Sequence, residues 1–420
     1  MNARRWGGLL AVFAAGVGLL AALIGWELRA GALPPGAAGT VPPDKAVTGR
    51  GAVLARAGNC MACHTVRGGA PYAGGRRIET PFGDLYASNL TPDGETGLGR
   101  WSDEAFRRAM QQGISRDGRL LYPAFPYAHF TRMSDGDVEA LRAFLRSLPA
   151  VRQPNTPHAL RFPFNTQAAL ALWRLMHFEP GRFQPDTTQS AEWNRGAYLV
   201  QGVAHCAACH GTRNAWGATT DPFGGEALPD GRWRAPSLHD PRQAGVQAWP
   251  VERVVALLRD GSVDGASVAG PMAEVVFHGT QYLPEADLRA MATYLRALPV
   301  RTTVAPDFVS AAGGALAAGE QLYGQHCADC HGKAGEGKPG QYPPLAGNRV
   351  VTADDPTNVL QAIVGGGFAP ATPGHPYPYG MPPFRTLLTD TEIAAVASYL
   401  RQSWGHRASA VRSLEVQRVR

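Results

Sequence analysis

The sequence predicts an all-α protein made of three tandem helical units behind one apolar N-terminal helix. Three observations predict it. Cys-x-x-Cys-His occurs three times and uses all six cysteines, each copy is bracketed by a short glycine-opened helical stretch and a later amphipathic helix, and an uncharged stretch runs from Trp6 to Trp26. With 45% hydrophobic and 18% charged residues, the 420-residue chain has a globular balance. Its 50 glycines and 34 prolines make it loop-rich, which suits small domains that wrap something other than their own side chains.

The N-terminal element comes first. At 1.5 Å per residue the stretch Trp6–Trp26 spans roughly 31 Å as a helix, about one bilayer. Arg4 and Arg5 precede it, which by the positive-inside rule puts the rest of the chain outside the cytoplasm. Residues 1–30 are therefore expected to form a membrane anchor, with Ala30-Gly31-Ala32 offering a signal cleavage site as the other option. Both readings export the chain, and the anchored one places it at the cell inner membrane on its periplasmic side.

Next come the motifs: Cys60-Met-Ala-Cys63-His64, Cys206-Ala-Ala-Cys209-His210 and Cys327-Ala-Asp-Cys330-His331. Two cysteines three apart on a helical turn reach the two vinyl groups of one porphyrin, and the adjoining histidine swings beneath the ring to ligate its iron. This spacing is the attachment signature of c-type haem. Zinc is the competing use of such pairs, but two pairs per zinc would leave one pair over. The expected cofactor is haem c, three per chain, with proximal ligands His64, His210 and His331.

The copies recur 146 and then 121 residues apart. Ahead of them lie RGAVLARAGNC from Arg50, RGAYLVQGVAHC from Arg195 and AGEQLYGQHC from Ala318. Closing each unit are SDGDVEALRAFLRSLP (134–149), PEADLRAMATYLRALP (284–299) and TDTEIAAVASYLRQSW (389–404). Val138, Leu141, Phe144 and Leu145 correspond to Leu288, Met291, Tyr294 and Leu295, and to Ile393, Val396, Tyr399 and Leu400, one apolar helix face in each. Ser134 with Asp137 and Thr389 with Glu392 have capping-box spacing, while Pro284 opens the middle copy. Between the two ends a third helix starts near Trp101, Trp249 and, in the last unit, Pro356.

Each unit thus resembles a class I cytochrome c domain. The three in series, with SNLTPDGETGLGRWSDEAF, GPMAEVV, GTQYLPEADL and YPPLAGN, resemble the triheme cytochrome c subunit of membrane-bound bacterial dehydrogenases over roughly residues 45–415. The resemblance implies an electron-transfer subunit, not an enzyme, whose partners are a dehydrogenase catalytic subunit, the membrane, and ubiquinone or a downstream oxidase. It also implies that the Pro344 carbonyl accepts from His331. Expected domains are 45–150, 191–300 and 312–405, with a linker over 151–190 and a tail over 406–420.

A methionine opposite the histidine raises the haem potential by favouring ferrous iron. Met272 and Met381 sit in Pro-containing loops before the closing helices and are the expected sixth ligands. In the first unit the equivalent slot holds Phe125, 24 residues after Trp101 as Met272 is 23 after Trp249. Phenylalanine has no lone pair to offer. His129, four residues on, is the preferred ligand; Met133, directly before the Ser134 cap, or an open iron are the alternatives. The segment YPAFPYAHF resembles the cytochromes that serve molybdenum hydroxylases, whereas a methionine there resembles partners of quinoprotein alcohol dehydrogenases.

In the linker, Leu170, Trp173, Leu175 and Met176 lie at helical spacing, open either to a membrane or partner surface or to packing on a neighbouring domain. The net charge of +6 comes without a basic run interleaved with aromatics, so nucleic acid is excluded. The chain has no nucleotide-binding glycine loop and no paired acid and base. The expected function is electron relay; a peroxidase-like enzyme using an open first iron, or a subunit of a terminal oxidase, are the alternatives.

Overall fold

The structure, a computed structural model, describes residues 3–36 and 44–420, with side chains of the first helix described from Val12 on. Its contacts fall into two compact units, residues 1–54 with 63–184, and residues 55–62 with 185–420.

Through the first part of the chain run α1 (Ala3–Glu27), α2 (Lys45–Ala57), α3 (Cys60–Cys63), α4 (Asp103–Gln112), α5 (Tyr127–Phe130), α6 (Asp135–Arg146) and α7 (Gln167–His177). A three-stranded antiparallel sheet, β1 (Arg77–Thr80), β2 (Gly83–Tyr86) and β3 (Ala159–Leu160), is set among them. The second part holds α8 (Ala191–Tyr198), α9 (Ala207–His210), α10 (Val251–Asp260), α11 (Pro271–His278), α12 (Glu285–Arg296), α13 (Gly313–His326), α14 (Ala328–His331), α15 (Arg349–Thr352), α16 (Thr357–Gly365), α17 (Asp390–Gln402) and α18 (Ser413–Gln417). Its strands are four two-stranded ladders: β4 (Thr212–Arg213) with β5 (Thr219–Asp221), β6 (Glu226–Ala227) with β7 (Arg234–Ala235), β8 (Ser262–Val263) with β9 (Ala266–Ser267), and β10 (Gly367–Phe368) with β11 (Gly380–Met381). The all-α expectation is corrected to this extent: helices carry the core, and small hairpins brace the loops between them.

The expected membrane helix is also corrected. Among the described residues no helix is long and apolar enough to cross a membrane. At its end α1 packs on the protein: Ile24 and Ala30 lie against Ile114, Leu120, Leu170 and Ala171, and Glu27 pairs with the buried Arg174 at 2.8 Å. The linker segment supplies α7 to the same cluster. Leu170 is thus a core residue and Trp173 meets the Tyr127 ring edge-on, while Leu175 and Met176 remain exposed.

The repeated helices explain themselves through one crossing. Gly51, Gly196 and Gly319 sit where α2, α8 and α13 cross α6, α12 and α17. A Cβ there would lie 1.9 Å from Ala140 O, 1.9 Å from Ala290 O and 2.3 Å from Ala395 O, and 2.8 Å from the Cβ of Phe144, Tyr294 and Tyr399. Only a hydrogen lets the two backbones approach this closely. The apolar stripe expected on the closing helices is the buried face: Val138, Leu141, Leu145, Leu288, Met291, Leu295, Ile393, Val396 and Leu400 are all buried.

The carboxylate in the first turn of each closing helix takes one of two partners. Asp137 pairs with Arg50 at 2.6 Å, and Asp287 pairs with Arg195 through both oxygens, at 2.8 and 2.9 Å. Both arginines directly precede the crossing glycine. In the last unit Ala318 takes that place, and Glu392 turns back to complete a capping box with Thr389. Ser134 accepts from Asp137 N, and the Asp137 carboxylate also pairs with Arg50. The middle unit has one residue more between glycine and first cysteine than the first unit, and a π turn over Leu199–Val203 absorbs it.

Candidate functional site

In each copy the motif sits on its own short helical turn, set off from the helix before it. Left-handed residues make the break in the first two copies, Asn59 at φ 48° and His205 at φ 39°; in the third Cys327 leaves helical geometry at φ −124°. The cysteines are placed alike throughout: Cys60, Cys206 and Cys327 are partly buried, while Cys63, Cys209 and Cys330 are exposed. Burial, with the neighbouring cysteine adding to it, pushes the Cys206 thiol up to about 12 and the Cys327 thiol to about 11. Among the described residues no group of three or more His, Cys, Asp or Glu is gathered to hold a metal ion.

The histidines are held by a clamp that recurs three times. His64 Nδ1 lies 2.7 Å from Ser88 O, His210 Nδ1 2.8 Å from Pro236 O, and His331 Nδ1 3.0 Å from Pro343 O. A carbonyl only accepts, so Nδ1 carries the proton and Nε2 keeps the lone pair that an iron would take. Burial lowers the pKa of all three imidazoles and the carbonyl contact only partly offsets it, so they are neutral at physiological pH, as ligation requires.

The backbone of each histidine is fixed by a glycine. Gly74, Gly225 and Gly337 donate their N–H to the carbonyls of His64, His210 and His331, each at 2.8 Å. All three are left-handed, at φ 81°, 77° and 66°. The loop bearing the acceptor carbonyl passes directly over each. A Cβ would stand 2.6 Å from Ser88 C, 2.3 Å from Ser237 N and 2.7 Å from Pro344 N. One glycine therefore positions both the histidine main chain and the carbonyl that orients its ring.

Sequence reasoning missed these glycines, because they follow their histidines at unequal separations across hairpins of different length. The readable signal was the leucine two residues past each acceptor, Leu90, Leu238 and Leu345. The resemblance-based assignment of the Pro344 carbonyl to His331 is corrected by one residue. Pro343 faces the imidazole, and the Pro344 carbonyl accepts instead from Asn348 Nδ2 at 2.9 Å.

Of the expected sixth ligands, Met381 lies in β11 and packs, partly buried as Cys327 and Ala328 are, against the core of the last unit. Met272 is the second residue of α11, partly buried, after Gly270, whose left-handed turn lies against the Trp233 ring. Phe125 ends the loop before α5, its ring 5.6 Å from that of Phe130, and His129 stands partly buried on α5. Met133 is 1% exposed, sits directly before the Ser134 cap, and its carbonyl accepts from Gln111 Nε2. Those surroundings are those of a core residue, while His129 is partly buried in the same stretch of chain.

Comparison with known proteins agrees with this geometry. The family model described as cytochrome c matches residues 49–149 and 316–404. The chain is 40% identical over 415 residues to one of the subunits of the nicotinate dehydrogenase of Pseudomonas putida, covering 96% of this chain but only 34% of that protein. It is 37% identical to the cytochrome c subunit of the quinone alcohol dehydrogenase of Gluconobacter oxydans, covering 94% of this chain and 87% of the relative. It is 34% identical to the fructose dehydrogenase cytochrome subunit of Gluconobacter japonicus, covering 95% and 87%.

Proposed function

Since this chain belongs to the dehydrogenase-associated cytochrome c subunits, we propose that it carries three covalent c-type haems and relays electrons from a partner dehydrogenase to ubiquinone or a terminal oxidase. The observation that carries the count of three is the clamp. The middle motif, outside the two stretches matched by the family model, has the same cysteine exposure, the same Nδ1-to-carbonyl contact and the same left-handed glycine as its neighbours. Three units, 45–150, 191–300 and 312–405, then hold one haem each.

The residues present fit the group. Cys60 and Cys63, Cys206 and Cys209, and Cys327 and Cys330 would form its thioethers, and His64, His210 and His331 would ligate through Nε2. Met272, Met381 and His129 would complete the distal sides. When bound, a haem supplies a one-electron ferric–ferrous couple. What the chain does is hold each imidazole neutral and in one tautomer, so that no proton need move when the charge changes. A methionine sixth ligand favours the ferrous state, whereas histidine at position 129 would make the first site the lowest in potential.

The partner in this reading is a catalytic subunit of the molybdenum hydroxylase type, with quinoprotein or flavoprotein dehydrogenases as the other class. Phe125 followed by His129-Phe130, together with the similarity to a nicotinate dehydrogenase subunit, supports it. The site of action is the periplasmic side of the inner membrane, which fractionation of cells expressing the tagged chain tests.

The deciding experiment is the intact mass and the optical spectrum of the mature protein under denaturing, reducing conditions. Three retained haems per chain and reduction by a co-purified dehydrogenase plus its substrate support the reading. Two haems, or a high-spin iron turning over peroxide, would refute it.

A further inference from the structure

The segment that carries Met381 is a long hairpin of the last unit. β10 and β11 pair at its base in the register Gly367↔Met381 and Phe368↔Gly380, and residues 369–379 form the loop between them. The loop closes on itself near its tip, where Thr372 N donates to His375 O and His375 N to Thr372 O, at 3.1 and 3.0 Å.

That tip rests on the middle unit. Asp260, the last residue of α10 and 8% exposed, accepts from Gly374 N at 3.2 Å, and its main-chain oxygen lies 3.4 Å from His375 Nδ1. Gly374 is pressed so close that a Cβ would stand 2.6 Å from the Asp260 carboxyl carbon. Gly261, left-handed at φ 76°, lets Pro370 pack beside it, since a Cβ there would be 2.7 Å from the proline ring. Gln281 completes the seat by donating to Ala371 O at 3.1 Å. Arg259 holds the other carboxylate oxygen of Asp260 at 3.1 Å, so the acceptor faces one way.

From these contacts we infer that Asp260 is a positioning residue for the distal ligand of the last haem: the middle unit holds the tip of the Met381 hairpin and so keeps the methionine on its iron. A hairpin with only two base pairs is marginal on its own. The Asp260 contact reduces the conformations in which Met381 swings away, and a ligand that is in place for a larger fraction of time resists an incoming competitor in proportion. The inference rests on Met381 being that ligand.

The test uses the mature holoprotein in a Met272→Ala background, so that the remaining methionine-to-ferric-iron charge-transfer band reports one site. Met381→Ala comes first. If it leaves the band unchanged, Met381 is not the ligand, and the reading beneath the inference fails. If it abolishes the band, Asp260→Ala is expected to weaken the band and to tighten ferric binding of added imidazole about tenfold, at unchanged haem content. Asp260→Asn keeps an acceptor oxygen within reach and is expected to restore both readouts. Gly374→Ala attacks the same contact from the hairpin side and should reproduce Asp260→Ala, which guards against a general loss of folding in either variant. An Asp260→Ala protein with unaltered band and imidazole affinity overturns the inference.

Discussion

Replacing Gly225 by alanine tests the clamp on the middle histidine. Its φ of 77° costs an L-residue about 1 kcal/mol, and the new Cβ would stand 2.3 Å from Ser237 N and 2.7 Å from Pro236 C. Ordinary contact begins near 3.4 Å, so the segment at 236–237 must retreat by about 1 Å. The His210–Pro236 contact starts at 2.8 Å, and a retreat of that size takes it beyond the roughly 3.6 Å at which it ceases to be a hydrogen bond. Overpacking and the left-handed penalty together should cost about 2–4 kcal/mol of stability. The redox consequence has a definite sign. Donation from Nδ1 to the carbonyl makes Nε2 more basic and favours ferric iron, so its loss raises the middle potential. A net hydrogen bond of about 1 kcal/mol, against about 59 mV per factor of ten for one electron, sets the rise at no more than about 40 mV. Spectroelectrochemical titration of the holoprotein measures it. A folded variant with full haem content whose middle potential stays put or falls would refute the clamp as an electronic device.

The helix crossing is checked by thermal melting of Gly196→Ala, whose Cβ would sit 1.9 Å from Ala290 O; overpacking minus the gain in helix propensity predicts a net loss of roughly 1–2 kcal/mol. Gly49→Ala on α2 meets nothing within 4 Å and should instead be neutral or stabilising by up to about 1 kcal/mol. Asp240 is fully buried. Burial alone would raise its pKa, but hydrogen bonds from Arg242 and Thr303 prevail and hold it at about 2, against an ordinary 3.8. A depressed carboxylate stabilises the fold above its ordinary value and loses that contribution as pH falls through the folded one. About 2 kcal/mol should therefore vanish between roughly pH 4 and 2, and Asp240→Asn should flatten this acid limb in urea titrations. Finally, Cys330→Ala leaves one thioether site in the last unit, and mass spectrometry under denaturing conditions should show more loss of haem from it than from the unaltered protein.

What the sequence determined by itself was whatever is local. The Cys-x-x-Cys-His spacing, the apolar faces of α6, α12 and α17, and the Thr389–Glu392 cap each depend on residues within two or so turns of one another, so composition and period were enough to read them. It also marked the crossing glycines, Gly51, Gly196 and Gly319, as recurring features, though without their reason, since the carbonyls they admit, those of Ala140, Ala290 and Ala395, belong to helices far along the chain. The clamps were beyond it. Ser88, Pro236 and Pro343 face their histidines only after hairpins of different length have folded back, and a loop's length does not say which carbonyl arrives. Tertiary packing also decided the role of the segment before α7 and of α7 itself, where Glu27 and Arg174 meet across 147 residues. The same holds for Asp260 beneath the Met381 hairpin, 114 residues from the glycine it holds. Contacts of this kind are chosen by which surfaces close together at once, and that choice is made in three dimensions, where the linear order of residues carries no distance.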